Sequence, residues 1–246
     1  MTIPKILLWD VETSYMLVRT FGLYQDVTSH SSIVEDWHLI CVCYKWLGEK
    51  KIHSLVKDSP KDDRELCIQL REVLESADII VHHNGDKFDV KKFNSRLIYH
   101  KLPPLPPLVT VDTLKHVKKI ATFSSHRLDF LGQHLGLGKK IVNAPNLWVG
   151  ATEGYLPDVR KMVKYCKQDV ALLESLYLYL RPYFKGQPNF NVFAGTLDNC
   201  PTCGGNHLHK RGYATTRTGK YQRYQCNDCG SWSQGKKNLH TTVEVR

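Results

Sequence analysis

Five side chains stand where their types and spacing could do hydrolytic chemistry. Asp10 and Glu12 lie two apart at the end of an apolar run, in Trp9-Asp10-Val11-Glu12-Thr13. Period-two geometry puts both carboxylates on one face of a strand. Like charges there repel unless a cation neutralises them. Asp89 follows Asn84-Gly85-Asp86-Lys87-Phe88, just past the apolar run Ile79-Ile80-Val81-His82. That is a strand-to-helix corner, where α/β proteins bind ligands; Phe88 is expected to point inward there. Tyr165 and Asp169 are i and i+4 on one helix face. Each alone has an ordinary reading, as a helix cap, a core tyrosine or a solvated acid. Together they make an all-oxygen donor set, which suits Mg²⁺ or Mn²⁺.

The elements that must position these groups are legible. Strands are expected at residues 6–11, 38–44, 51–55, 79–82 and 108–112, with a turn at Gly48-Glu49 joining the second and third. Helices are expected at 62–75, 86–99, 113–120, 128–135 and 156–183, the last broken by Pro182. In the second helix Phe88, Phe93, Leu97 and Ile98 are assigned to the core. The prolines of Lys101–Pro107 read as a stiff connector. A three-strand meander followed by alternating helix and strand predicts an α/β fold: a five-stranded mixed sheet flanked by helices.

The motifs Asp10-Val11-Glu12-Thr13, Asn84-x-x-x-Phe88-Asp89 and Tyr165-x-x-x-Asp169 resemble the DEDD superfamily of 3′–5′ exonucleases, on an RNase H-like fold. Val111-Asp112-Thr113-Leu114, Arg127-Leu128-Asp129 and Leu135-Gly136-Leu137 are similar to it as well. The resemblance is to the exonuclease domains of family B DNA polymerases and covers about the first 185 residues. Lys164 stands where one branch has His, and Tyr165 where the other has Tyr, so the chain resembles the Tyr (DEDDy) branch. The resemblance implies that Asp10, Glu12, Asp89 and Asp169 hold two Mg²⁺ or Mn²⁺ ions, with Asp10 bridging them and Glu12 near the terminal 3′-hydroxyl. Two such ions ~3.5–4 Å apart act as Lewis acids on the attacking and leaving oxygens. Tyr165, with a phenol pKa of ~10, is better suited to positioning water than to removing its proton. Asp112 reads as a helix cap or substrate-side contact and is left out of the metal set. His82 and His83 alternate in direction and read as structural.

The chain has 246 residues, 34 Lys and Arg against 24 Asp and Glu, and a net charge of +10. Such an excess suits an anionic partner, nucleic acid above all. No segment reads as a membrane span or a secretory leader, which implies a soluble, cytoplasmic protein. Residues 196–246 carry 8 basic and 3 acidic residues, a net +5 that marks a separate module. The expected domains are 1–188, the exonuclease, and 189–246, a zinc ribbon with a basic tail.

Cys200-x-x-Cys203 and Cys226-x-x-Cys229 are each followed by glycine, at Gly204 and Gly230. Four thiolates in a tetrahedron suit one structural Zn²⁺; reduced dithiols or an iron-only centre are the alternatives. Cys41, Cys43, Cys67 and Cys166 read as small buried hydrophobes. The hairpin over residues 207–225 resembles the zinc ribbons of some transposases. Lys210, Arg211, Tyr213, Lys220, Tyr221, Arg223 and Tyr224 interleave cations with aromatics and are candidate nucleic-acid contacts.

The expected activity is metal-dependent 3′–5′ hydrolysis of single-stranded nucleic acid, DNA favoured, with a replication or repair protein as a further partner. An RNA-trimming exonuclease and a non-catalytic adaptor that uses the ribbon are the competing readings.

Overall fold

The structure is a computed structural model that describes residues 4–22, 29–141, 146–195 and 198–240. The first residues of the segment read for a leader, and Arg246 of the basic tail, lie outside the described residues. The described residues divide into two compact units. One holds Lys5–Lys115 and Phe123–Leu176; the other holds Pro4, His116–Thr122 and the chain from Tyr177 onward.

In chain order the strands are β1 (Ile6–Thr13), β2 (Leu17–Val18), β3 (Ile33–Glu35), β4 (Leu39–Trp46), β5 (His53–Val56), β6 (Ile79–His82), β7 (Thr110–Asp112), β8 (Leu208–Thr215), β9 (Lys220–Cys226) and β10 (Trp232–Asn238). The helices are α1 (Arg64–Glu75), α2 (Asp89–Tyr99), α3 (Thr113–Ile120), α4 (Leu128–His134), α5 (Leu147–Thr152), α6 (Leu156–Leu180) and α7 (Phe190–Ala194). The short pair β2 and β3, helices α5 and α7, and strand β10 add to the expected elements.

The large unit is built on a five-stranded sheet in the order β5-β4-β1-β6-β7. β4 runs antiparallel to both β1 and β5, whereas β6 is parallel to β1 and to β7. This is the mixed sheet that the sequence predicts. Along β1 alternation sorts the side chains: Leu7, Trp9 and Val11 join a core cluster with Leu39, Val42, Leu70, Phe93 and Leu97. Asp10 and Glu12 therefore share the opposite face.

One buried ion network fixes α1 and α2 against that core. Asp63, fully buried, accepts bidentate hydrogen bonds from Arg96 at 2.7 and 2.8 Å, one from His100 at 2.6 Å, and one from the Leu39 amide at 2.8 Å. A satisfied fork of this kind sets the helix that begins with Asp89. Two core assignments are corrected: Phe88 is 41% exposed because it stands before α2, which begins at Asp89, and Ile98 is 78% exposed because it lies one residue round from the buried stripe of Phe93 and Leu97. Helix α6 stops at Leu180 and gives way to a 3-10 turn at Arg181–Tyr183, as Pro182 requires.

The smaller unit contains a three-stranded sheet, β10-β9-β8, all antiparallel. Its buried apolar side chains are few, among them Tyr177, Leu180, Phe184 and Phe190.

Candidate active site and cysteine centre

Strand β1 and helix α6 meet through small side chains. Asp10 pairs with Cys43 and Glu12 with Cys41 across the β1–β4 ladder, so two small thiols flank the two acids. Cys166 of α6 is fully buried and its thiol donates to the Asp10 carbonyl at 3.4 Å and to the Asp10 carboxylate at 3.6 Å. Cys43 donates in turn to the Val163 carbonyl at 3.7 Å. Asp169 lies three residues beyond Cys166, on the same helix face. The four scattered cysteines are all buried, as expected, but Cys166 also holds the first acid.

Asp89 opens α2 and is 5% exposed. The backbone at Val11 and at Asp89 itself lowers its carboxyl, against burial. The corner before it is tightly built. Asn84 takes φ +68°, and a Cβ on Gly85 would stand 2.3 Å from the His82 ring, so only glycine fits. Asp112 ties this corner down: one carboxylate oxygen accepts from the Asn84 amide at 2.9 Å and caps α3 through the Leu114 and Lys115 amides at 3.0 and 3.3 Å. Its other oxygen lies 3.9 Å from His82 Nδ1, and His82 Nε2 lies 3.1 Å from Asp86. Asp86 is held below the usual carboxylate range by His82 and Lys115. His83 bridges the Thr113 hydroxyl at 2.8 Å and the His126 carbonyl at 2.9 Å, and burial pushes its pKa down to about 4.

Asp10 feels the charge of the other three predicted acids. Burial, and repulsion from Asp89, Glu12 and Asp169, raise the Asp10 carboxyl well above its ordinary value. Burial and the Asp169 charge push Glu12 up to about 8. Burial raises Asp89 to about 6 and also raises Asp169. Asp169 Oδ1 is buried with no hydrogen-bond partner. Carboxylates raised by burial, one of them with an unpartnered oxygen, form a hard oxygen donor set whose chemistry fits Mg²⁺ or Mn²⁺.

Lys140 was not foreseen. Its ammonium pairs with Asp169 and lies 3.4 Å from the Tyr165 hydroxyl, to which it donates. Although burial opposes it, the Asp169 carboxylate holds the lysine pKa above its usual value. Tyr165 is half-buried, edge-on to Trp148 at 5.8 Å, and burial with the Asp169 charge pushes its phenol up to about 12. No spacing rule links Lys140 to residues 25 and 29 positions away.

In the smaller unit Cys200, Cys203, Cys226 and Cys229 bring their sulfurs within 4.8 Å of one another. The Cys200–Cys229 and Cys203–Cys226 separations are both 3.7 Å. A tetrahedral Zn²⁺ with Zn–S bonds of ~2.3 Å requires sulfurs ~3.8 Å apart, so the four thiols fit that ion. Gly204 at φ +76° and Gly230 at φ +80° make the turns, and the Gly205 amide donates to Cys203 at 3.4 Å. His207 is occupied by Asp228 at 2.6 Å. Phe190 packs under Gly204, and its amide donates to the Pro201 carbonyl at 2.8 Å.

The seven predicted nucleic-acid contacts divide between two faces of the small sheet. Lys210 faces Tyr224, Tyr213 faces Gln222, and Thr215 faces Lys220, so Lys210, Tyr213, Lys220 and Tyr224 share one face. Arg211, Tyr221 and Arg223 alternate to the other.

A family model of the RNase H superfamily matches residues 34–181. The chain belongs to the RNase H superfamily. No curated protein sequence matches it. Among solved structures it is similar to the family B DNA polymerase of the hyperthermophilic archaeon Pyrobaculum calidifontis, at 12% identity and a TM-score of 0.54. That alignment covers 87% of this chain and 31% of the polymerase, and it shows the fold. An RNase H superfamily fold with a carboxylate cluster supports nuclease activity on nucleic acid. No helix among the described residues is long and apolar enough to cross a membrane.

Proposed function

We propose that the chain is a metal-dependent 3′–5′ exonuclease of the DEDDy type that hydrolyses single-stranded nucleic acid, with DNA favoured over RNA. The observation that carries this reading is a set of carboxylates from β1, α2 and α6: burial raises all four, and repulsion from the other acids raises Asp10 and Glu12 further. Asp10, Glu12, Asp89 and Asp169 would hold two Mg²⁺ or Mn²⁺ ions. When bound, such ions supply Lewis acidity to the attacking and leaving oxygens of the phosphodiester.

The chain's own residues prepare that site. Cys166 orients Asp10 before any ligand arrives. Tyr165 stays protonated at neutral pH, so it can donate a hydrogen bond but cannot act as a free base. Lys140 donates to the phenol oxygen, which holds the Tyr165 hydroxyl beside Asp169, where it would orient the attacking water. Lys140 also neutralises part of the Asp169 charge. In the cysteine centre one structural Zn²⁺ would hold the ribbon together.

Single-stranded DNA and RNA, labelled at either end and incubated with Mg²⁺, Mn²⁺ or chelator, test the reading. A 5′-label is expected in a ladder of shortening products and a 3′-label in mononucleotides from the first time point, with no turnover under chelation. Asp10→Ala and Asp169→Ala are expected to abolish turnover in a folded protein. Internal cuts, or activity retained in both variants, would overturn the assignment.

A further inference from the structure

Hydrolysis at the carboxylates leaves the three-stranded sheet without a role, yet its strands carry charge of one sign only. Strands β8, β9 and β10 carry six cations, Lys210, Arg211, Lys220, Arg223, Lys236 and Lys237, and no Asp or Glu. A solvated hairpin needs no such exclusion of acids; a polyanionic partner rewards it.

One face adds a second feature. Trp232 pairs with Gln225 across the ladder, which places it on the face of Arg223 and Arg211. The Arg223 guanidinium lies 4.9 Å from the Trp232 ring centre, and its Nε donates to the Arg211 carbonyl at 3.0 Å. The indole is held in place, yet Trp232 remains 52% exposed. An indole left this open, beside two exposed arginines, offers a flat aromatic surface within reach of phosphate-binding groups. Unpaired bases stack on such surfaces with little regard to sequence. In a duplex the base faces are already stacked on each other and are closed to an indole, while the phosphates stay open to arginine.

We propose that the Trp232–Arg223–Arg211 face binds single-stranded nucleic acid, with an unpaired base on Trp232 and backbone phosphates on the two arginines. It does not depend on hydrolysis at the carboxylates. The face would hold a strand whether or not that strand is cut.

The test is a binding measurement on the full-length, zinc-loaded protein with neither chelator nor added Mg²⁺ or Mn²⁺. Fluorescence anisotropy is followed with labelled single-stranded DNA, single-stranded RNA and duplex DNA of one sequence. At least one single strand should bind more tightly than the duplex, and the DNA and RNA arms identify which. Trp232→Ala should weaken that binding ~10–100-fold, the range expected for loss of one stacked base, without changing the salt slope. Trp232→Phe, which keeps a ring, should recover most of the loss. Arg211→Gln and Arg223→Gln should each flatten the dependence of log affinity on log salt by ~0.7. Zinc content reports whether the ribbon is folded; if Trp232→Ala releases zinc, Trp232→Phe and Arg223→Gln decide the outcome. Unchanged affinity in Trp232→Ala would overturn the proposal, as would a duplex bound as tightly as either strand. A loss that follows Tyr213→Ala in place of Trp232→Ala would overturn the choice of face. Because no hydrolysis is measured, inactivity at the carboxylates cannot imitate any of these results.

Discussion

Four carboxylates crowd into a unit with a deep apolar core, whereas four thiols gather in a unit that has little core of its own. In the first, Leu7, Trp9, Val11, Leu70 and Phe93 bury against one another on the face of β1 opposite the acids. That burial stabilises the fold well enough to hold groups whose charges repel. In the second, Phe184 and Phe190 are among the few buried apolar side chains, and the strands carry alternating polar residues on both faces. A sheet of that kind is marginal in water without a staple. The acidic site thus depends on the fold around it, while the small sheet would depend on a metal held by its four cysteines.

Removal of zinc should give the largest effect and separate the two regions most sharply. Chelation or Cys203→Ser should open residues 198–238, because zinc binding contributes ~10–16 kcal/mol in comparable peptides. Hydrogen exchange should show lost protection in β8, β9 and β10 with β1, β4 and β6 unchanged. Protection retained in the ribbon would mean that its own packing suffices.

Within the acidic site, Tyr165→Phe keeps the packing against Trp148 and removes one hydroxyl. Turnover at saturating substrate should fall ~10²–10⁴-fold if that hydroxyl orients water. An unchanged rate would reduce Tyr165 to a structural role.

The smallest effect is in stability against pH. Glu12 is raised to about 8 and Asp89 to about 6, against ~4 for unfolded carboxylates. Between roughly pH 4 and 8 the folded chain therefore holds more protons than the unfolded one. Stability without divalent ions should fall as pH rises through that window, since each raised acid must ionise in place. Glu12→Gln should flatten the decline in Tm, and saturating Mn²⁺ should do the same in the unaltered protein. Equal slopes in all three would mean the acids do not repel as described.

The strands of the mixed sheet, the long helices and the acid motifs were legible because each rests on local pattern. β1 is a continuous apolar run, α1 repeats Leu66, Leu70 and Leu74, and Asp10 with Glu12 is a two-residue spacing. The metal-ligand spacing of the cysteines is equally local. Phe88 was misplaced because α2 starts at Asp89 and leaves it outside the helix, and Ile98 because it lies one residue round from the buried stripe of Phe93 and Leu97.

What only the tertiary structure decided lies in contacts between distant positions. Cys166 reaches Asp10 across 156 residues, and Lys140 reaches Asp169 across 29. Asp112 ties the Asn84 corner across 28. Periodicity carries no information about such pairs, because they form only once the sheet has brought its strand ends and α6 together. The faces of the small sheet make the same point at short range. Lys210 and Tyr213 are three apart and by alternation should point in opposite directions. A register shift between them, with Gly212 at φ +66°, returns both to one face and leaves Arg211, Arg223 and Trp232 to the other. The residue types are written in the chain, but a single bulge, set by pairing with β9, decides which of them can meet the same ligand.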